Sequence, residues 1–225
     1  MSIYEKILNL PLFKGLSTVA IERFVTKTPI SFYKCSVGES IVKRGSRCDS
    51  IKFILSGTAK VERIVFNGQL KVTESIGENS MIGAERLYGI ETNFDESIKV
   101  IENCSLMEFS KKHFLNLLKE DNFILINYLN YLSKEVQKPI ISFKDYNIKS
   151  PVERLKLIIE LFTRKKASEI SIESIGHPLY DLLGFTSNKE FLSSLGILLG
   201  EGIVNLKSEN QIVITSRREV LDRIQ

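Results

Sequence analysis

The chain has 225 residues, of which 43% are apolar and 26% charged, and its formal net charge at pH 7 is +4. This composition is typical of globular proteins and argues against a disordered chain. No stretch approaches the roughly 20 apolar residues of a membrane-spanning helix, and the N-terminus lacks the apolar core of a signal peptide, so we expect a cytoplasmic protein without a membrane partner. The small positive charge favours a polyanionic partner only weakly.

The N-terminal part of the chain changes from helical to strand-like spacing. Residues 3–27 predict short helices, because apolar residues recur there at helical intervals. Residues 30–109 are rich in short alternating runs. Gly38, Gly45 and Gly57 are spaced to turn an antiparallel chain about every ten residues, since glycine adopts positive φ without steric cost.

A hairpin signal adds to this pattern, because Asn67-Gly68 stands between two apolar runs. About eight strands with this spacing favour a sheet that closes on itself, so that few strand edges are left unpaired. The sequence therefore predicts an antiparallel roll in the first half of the chain.

Helical periodicity follows Ser110, and a heptad-like apolar stripe begins further on. Its members are Leu125, Leu129, Leu132 and Val136. Such a stripe predicts a long helix that can join two copies of the chain as a coiled coil. The alternative is that the stripe packs on the roll of its own chain. We expect Pro139 to interrupt this helix, because proline lacks the amide donor.

Ser150-Pro151-Val152-Glu153 predicts the start of another helix and a domain boundary. Ser150 can cap the helix, Pro151 suits its first position, and Glu153 completes a capping box. The predicted domains are a roll over residues 1–120, a dimerisation helix and hinge over 121–149, and a C-terminal domain over 150–225.

The C-terminal domain is predicted to contain three or four short helices and then a hairpin, and two of these helices form a pair. The first helix ends at Gly184, and the second starts at Ser187 with Glu190 in a second capping box. A hairpin follows over residues 203–206 and 212–214. This order is the outline of a winged helix–turn–helix, a DNA-binding motif. The alternative is a small helical domain whose polar residues only face solvent.

The candidate DNA contacts lie on the second helix and in the hairpin. Asparagine can pair with adenine, lysine can reach guanine acceptors, and a basic hairpin residue can contact phosphate. The candidates are Ser187, Asn188, Lys189, Ser193 and Lys207. Against them stands a neutral C-terminal third, with ten Lys/Arg and ten Asp/Glu from Ser150 onward, where DNA-binding domains usually carry a basic footprint.

The order of these parts resembles the Crp/Fnr family of bacterial transcription regulators, from about Leu10 to Leu221. The most specific pieces are the roll glycines and Glu153-Arg154-Leu155. The resemblance implies an α+β fold with an N-terminal antiparallel β-roll of the double-stranded β-helix or jelly-roll type, a long dimerisation helix and a C-terminal winged helix–turn–helix. It also implies a homodimer on a pseudo-palindromic operator in double-stranded DNA, with RNA polymerase as a further partner if the protein activates transcription.

One departure from the family concerns the effector. Members that bind cyclic AMP carry a phosphate cassette, Gly-Glu-Leu followed further on by Arg-Ser, whereas Glu96 stands here where the arginine would be. Like charges repel, so Asp95 and Glu96 disfavour a phosphate, and we expect no response to cyclic AMP. Candidate contacts for another, unidentified effector are Gly83, Ala84, Glu85, Glu96 and Ser97. The alternative for Glu85 is a solvated surface carboxylate.

A second departure concerns the predicted recognition helix. Aligned from Leu198, the family's Ser-Arg-Glu-Thr-x-x-Arg has Asn188 in place of its first arginine, Lys189 in place of glutamate and Ser193 in place of its second arginine. We therefore expect an unusual operator. The alternative function is a ligand-sensing or protein-interaction module with weak or no specific DNA binding.

No catalytic or metal-binding pattern is present in the sequence. His113 and His177 lack partners at ligand spacing, and Cys35, Cys48 and Cys104 are too scattered for a cluster. We find no nucleophile elbow or phosphate loop, so we expect neither an enzyme nor a resident cofactor or metal. A single redox-reactive thiol is the alternative left open for the cysteines.

Overall fold

The computed structural model describes residues 2–136, 149–164 and 167–223, without the side chains of residues 134–136. The chain divides into two compact units. The first unit contains residues 2–59 and 77–136, and the second contains residues 60–76 together with those from 149 onward. We call residues 60–76 the inserted hairpin, because they interrupt the first unit in sequence but pack within the second.

The helices of the first unit flank its strands. They are α1 (Ile3–Leu8), a 3-10 turn (Pro11–Phe13), α2 (Thr18–Lys27), α3 (Lys111–Glu120) and α4 (Asn122–Val136). Ser2, Ser17 and Ser110 cap α1, α2 and α3, each accepting a hydrogen bond from the amide three residues on. The predicted N-terminal helices and the helical region after Ser110 are confirmed. Within the described ranges, no helix has the length and apolar character needed to cross a membrane.

The strands of the first unit form an antiparallel sheet. The first six strands of the chain are β1 (Ser31–Cys35), β2 (Ser40–Val42), β3 (Ser50–Val65), β4 (Leu70–Ile76), β5 (Met81–Ile82) and β6 (Glu96–Ser110). β1 and β2 pair with β6, and β5 pairs with β3, all antiparallel. β4 and the end of β3 make the inserted hairpin, which turns through Asn67 and Gly68 as predicted, both at positive φ.

Gly57 does not turn the chain, which corrects the sequence prediction. It lies inside the continuous strand β3 at φ +85°, and a Cβ atom there would lie 2.2 Å from the carbonyl oxygen of Asn103 on β6. The glycine is required by positive φ and by this close backbone approach. Gly38 and Gly45 have positive φ in turns, as expected.

An aromatic cluster lies in the core of the first unit. Phe13, Phe24, Phe53 and Phe109 come from the N-terminal helical region, β3 and β6, and three of them are fully buried. Their ring centroids lie 5.1 to 6.4 Å apart. These separations are favourable for tilted and edge-to-face aromatic pairs.

The second unit adds short helices and three strands to the inserted hairpin. They are α5 (Pro151–Phe162), β7 (Ile170–Ser174), α6 (Leu179–Leu183), α7 (Asn188–Ser194), α8 (Gly196–Gly200), β8 (Val204–Ser208), β9 (Gln211–Ile214) and α9 (Arg217–Arg223). α5 begins with the predicted capping box, in which Ser150 and Glu153 exchange hydrogen bonds. Apolar residues recur at helical spacing along α5, and Leu155, Ile158 and Ile159 among them are buried.

Strand β7 is absent from the sequence prediction, which placed only helices between α5 and the hairpin β8–β9. β7 pairs antiparallel with β4, from Leu70 opposite Ser174 to Glu74 opposite Ile170. Its other edge pairs with β9, which pairs with β8. The inserted hairpin is therefore part of the sheet of the second unit.

A buried ion cluster fixes the inserted hairpin to the end of α5. The carboxylate of Glu74 is fully buried, and its Oε1 accepts hydrogen bonds from Nη1 of Arg63 at 2.7 Å and Nη1 of Arg164 at 3.1 Å. Its Oε2 accepts from the Arg164 amide at 2.6 Å. Arg63 also donates to the carbonyl of Phe162 at 2.8 Å. A buried carboxylate requires such partners, because burial of an unpaired charge costs several kcal/mol or more.

Candidate ligand site and candidate nucleic-acid interface

The predicted ligand site starts at a tight turn that follows β5. Gly83 has φ +86°, and a Cβ atom there would lie 2.8 Å from the Cys48 sulfur and 3.1 Å from the Ser50 carbonyl oxygen, so glycine is required. The next residue, Ala84, is buried, and its carbonyl accepts a hydrogen bond from the Tyr128 hydroxyl at 2.8 Å. The turn is thus held by β3 on one side and by α4 on the other.

Acidic residues outnumber cations in this segment. Arg86 is the one cation among residues 83–97, and its Nη2 lies 2.5 Å from Oδ2 of Asp95. Glu85 is exposed, whereas Glu96 is only 5% exposed. A phosphate at this site would have to displace Asp95 from Arg86 and would then lie among further carboxylates.

Two tyrosines that the sequence analysis did not select lie beside the predicted ligand residues. Burial raises the pKa of Tyr128 and of Tyr88 above the ordinary value for tyrosine, so both phenols stay protonated at neutral pH. Lys111 Nζ lies 4.9 Å from the ring centroid of Tyr88, a cation–π distance. A hydroxyl within the apolar face of α4 is the signal that would have identified Tyr128.

A groove in the first unit lies at another position. Its volume is about 910 Å³, and it lies between α2 and the α3–α4 segment. Val19, Arg23, His113 and Glu120 are among its lining residues, and none of the predicted ligand contacts is. The structure therefore does not bring the predicted contacts to this groove.

The predicted dimer stripe lies on α4, partly exposed. Leu125 and Leu132 are half-buried, Leu129 is 47% exposed, and the side chain of Val136 lies outside the described residues, as does Pro139. Ile124 and Tyr128 make the buried face of this helix. Among the side chains of α4 up to residue 133, the most exposed apolar ones are Phe123 and Ile126, which the stripe did not include.

The two helices of the predicted helix–turn–helix are joined by a turn that begins at Gly184. This residue ends α6 at φ +84°, and its amide donates to the carbonyls of Asp181 and Tyr180, as expected for a left-handed cap. Ser187 caps α7 by accepting from the Glu190 amide at 3.2 Å. The Glu190 carboxylate reaches the amide and hydroxyl of Thr186 instead of Ser187, so the predicted capping box is only half formed.

The predicted DNA-contacting residues differ in their exposure. Ser187, Lys189 and Ser193 on α7 are exposed, as is Lys207 on β8. Lys189 and Ser193 are one helical turn apart and share a face. Asn188 is half-buried, and its Oδ1 is the only buried side-chain polar atom without a hydrogen-bond partner in the part of the chain that the structure describes.

The histidines and cysteines of the sequence are further candidates for metal ligands and for reactive groups. Among the described residues, no group of three or more His, Cys, Asp or Glu side chains could hold a metal ion. Cys35, Cys48 and Cys104 are free and buried. Burial raises the pKa of all three thiols, which disfavours the reactive thiolate and so weighs against a redox-reactive cysteine.

Comparison with known proteins identifies the fold. Residues 34–121 match the family model of the cyclic nucleotide-binding domain, and no curated protein matches the chain. The sensor domain of the transcriptional regulator DNR from Pseudomonas aeruginosa is 18% identical, with a TM-score of 0.49, over 62% of this chain and 98% of that one. The catabolite activator protein of Thermus thermophilus is 19% identical, with a TM-score of 0.53, over 95% of this chain and 97% of that one. The chain therefore shares the fold of a catabolite activator protein, with a cyclic nucleotide-binding domain match at residues 34–121.

Proposed function

We propose that the protein is a non-enzymatic, DNA-binding transcription regulator of the Crp/Fnr type, whose first unit binds an effector and whose second unit binds double-stranded DNA. The observation that carries the proposal is the order α6, Gly184 turn, α7 and hairpin β8–β9, downstream of residues 34–121 that match the cyclic nucleotide-binding domain. The fold shared with a protein named as an activator supports the same assignment.

In this proposal α7 is the recognition helix of a winged helix–turn–helix. Lys189 and Ser193 are the exposed pair on one face, and Lys207 contacts phosphate from the hairpin. Asn188 can pair with adenine only after its amide leaves the position in which Oδ1 is buried. Hydrogen bonds between the Asn188 amide and a base would also remove the energetic cost of the buried Oδ1 atom, which lacks a partner in the structure.

The proposed regulator is a homodimer joined through α4. Leu129 and the neighbouring Phe123 and Ile126 expose apolar area that a second copy would cover. A symmetric dimer presents two α7 helices, whose separation must match one turn of DNA, about 34 Å. A bound effector can shift that separation only if it binds two states of the dimer unequally.

The effector of this proposal is not cyclic AMP. The single cation among residues 83–97 is paired with Asp95, and Glu85, Glu91 and Glu96 lie in the same segment. We expect cyclic AMP to leave the melting temperature unchanged. The Asp95→Asn variant, which releases Arg86, should bind the nucleotide better than wild type if the charges alone exclude it. Stabilisation of the wild-type protein by cyclic AMP would contradict this part of the proposal.

The test of DNA binding is a selection of genomic fragments by the purified protein at low and moderate salt. We expect a two-fold symmetric motif and an affinity that falls steeply with salt, because phosphate contacts release counterions. Lys189→Ala and Lys207→Ala should each weaken binding, and loss of one phosphate contact should reduce the salt slope by about 1. Lys119→Ala removes another exposed lysine, from α3 in the first unit, and is the control.

The same titration tests the alternative, a ligand-sensing or protein-interaction module. The neutral C-terminal third and the buried Asn188 oxygen favour that alternative. It predicts no shared motif and no loss of DNA affinity in Lys189→Ala beyond that of Lys119→Ala. Recovery of random fragments, with cell extract added to supply a missing effector, would decide against the regulator.

A further inference from the structure

The Glu153-Arg154-Leu155 motif contains an arginine with two backbone partners far apart in sequence. Arg154 lies in the first turn of α5. Its Nε donates to the carbonyl of Lys149 at 2.9 Å, and its Nη1 donates to the carbonyl of Leu183 at 3.2 Å. One guanidinium therefore ties the chain entering the second unit to the end of α6.

The Leu183 carbonyl belongs to the last residue of α6, where a hydrogen-bond donor from outside the helix is stabilising. The last carbonyls of a helix have no partner within that helix, and a cation there is favourable. Gly184 follows directly, and a Cβ atom on it would lie 2.1 Å from Nη1 of Arg154. Glycine thus allows both the left-handed cap and the close approach of the arginine.

The turn from Gly184 to Ser187 separates α6 from α7, and both of its ends are hydrogen-bonded. Arg154 holds the α6 end, and the Glu190 carboxylate holds the other through Thr186. Because the turn is short, its two ends decide the direction in which α7 leaves it.

We propose that Arg154 is a positioning residue for α7, holding the turn at Leu183–Gly184 in a fixed relation to the Lys149 carbonyl. This inference rests on the proposed function, in which α7 is the helix that enters DNA. A displacement of the chain at Lys149 breaks the hydrogen bond from Nε of Arg154 and so changes how the turn is held. Arg154 thereby connects the entry to the second unit with the DNA-binding helix without contacting a base.

The test compares Arg154→Gln, Arg154→Lys and the control Lys156→Gln in the full-length protein. Lys156 is on the same helix, and its substitution removes the same charge. We expect Arg154→Gln to raise hydrogen exchange in peptides covering residues 180–188 about tenfold, and to weaken specific DNA binding by a similar factor, equivalent to ~1.4 kcal/mol. Arg154→Lys should be intermediate, because an ammonium lacks the planar fork that reaches two carbonyls.

The exchange measurement separates this inference from the proposed function. If wild type binds no DNA, the proposed function fails, and exchange at residues 180–188 still decides whether Arg154 holds the turn. Equal exchange in Arg154→Gln and Lys156→Gln would overturn the inference. Equal loss of DNA affinity in those two variants would also overturn it, because Arg154 would then act only through its charge. Should Arg154→Gln fail to fold, Arg154→Lys decides by the same measurements.

Discussion

The cores of the two units are built from different kinds of residues and from different parts of the chain. The first unit packs four phenylalanines against one another, from segments whose helical and strand patterns are visible in the sequence. The second unit buries Leu70, Val72 and the carboxylate of Glu74, all supplied by a hairpin inserted from within the first unit. The second unit, which we propose binds DNA, therefore needs residues 60–76 in addition to the C-terminal residues of the chain.

The largest expected effect is the loss of the second unit when the hairpin is removed. Residues 149–225 alone should show no cooperative unfolding in urea, because the β4-facing edge of β7 and the apolar surface under Leu70 and Val72 would be exposed. The same residues joined to residues 60–76 by a flexible linker should unfold cooperatively. Circular dichroism through a urea titration measures both. Equal cooperativity in the two fragments would show that the hairpin is dispensable.

Glu74→Ala should be the most damaging single substitution in the second unit. It leaves Arg63 and Arg164 without their shared carboxylate, and breaking a buried ion pair costs roughly 3–5 kcal/mol. Hydrogen exchange under native conditions should show the loss in α5, β4 and β7. The control is Glu173→Ala, whose partner Lys71 lies 2.5 Å away in a partly exposed pair that is worth about 0–1 kcal/mol. Similar losses in both variants would refute the special role of Glu74.

Phe109→Ala should have a comparable effect on the first unit. It removes a fully buried ring that contacts three other aromatic rings, and such a truncation costs roughly 3–5 kcal/mol. Added salt should leave this loss unchanged, because no charge is involved. Exchange rates should rise in β3 and β6 first. A rise in exchange that appears first in the second unit would contradict the assignment of this cluster to the core of the first unit.

Helix caps should be worth about the same in both units. Ser110→Ala and Ser150→Ala each remove a hydroxyl that caps a first helical turn, and each should cost about 1 kcal/mol. Urea midpoints of the two variants, compared with wild type, provide the measurement. Replacement of either serine by aspartate should restore most of the loss. A cost near zero at Ser150 would indicate that tertiary contacts alone hold the start of α5.

The smallest expected effect is a pH dependence in the first unit. Burial of Glu108 raises its pKa, but hydrogen bonds from Ser50 and Tyr33 and the charge of Lys52, 3.2 Å away, outweigh burial and leave the pKa below its ordinary value of 4.5. A depressed pKa stabilises the fold above the unfolded value, and this contribution is lost as the pH falls through the folded value. The stability difference between wild type and Glu108→Gln should therefore shrink below pH 4.5. A constant difference across that range would exclude the carboxylate as its source.

In the candidate sites, some features depend on residues close together in sequence and others depend on tertiary contacts. Gly184, Ser150 and Glu153 could be assigned from the sequence because caps and glycine turns depend on residues only a few positions apart. The pairing of Arg86 with Asp95, the burial of the Asn188 oxygen and the hydrogen bond from Arg154 to the Leu183 carbonyl could not be assigned in this way. Each depends on where a side chain meets another segment.

The sequence by itself determined the local features of this protein: its helix starts, its hairpin turn at Asn67 and Gly68, and the apolar face of α5. Tertiary structure alone decided that Gly57 serves a close backbone approach instead of a turn, and that β7 is a strand. The physical reason is the sequence separation over which each interaction acts. Capping and turn preferences act over a few residues, whereas a short strand is stabilised by the strands beside it. One of the two neighbours of β7, strand β4, lies about a hundred residues earlier in the chain, and the other, β9, lies about forty residues later.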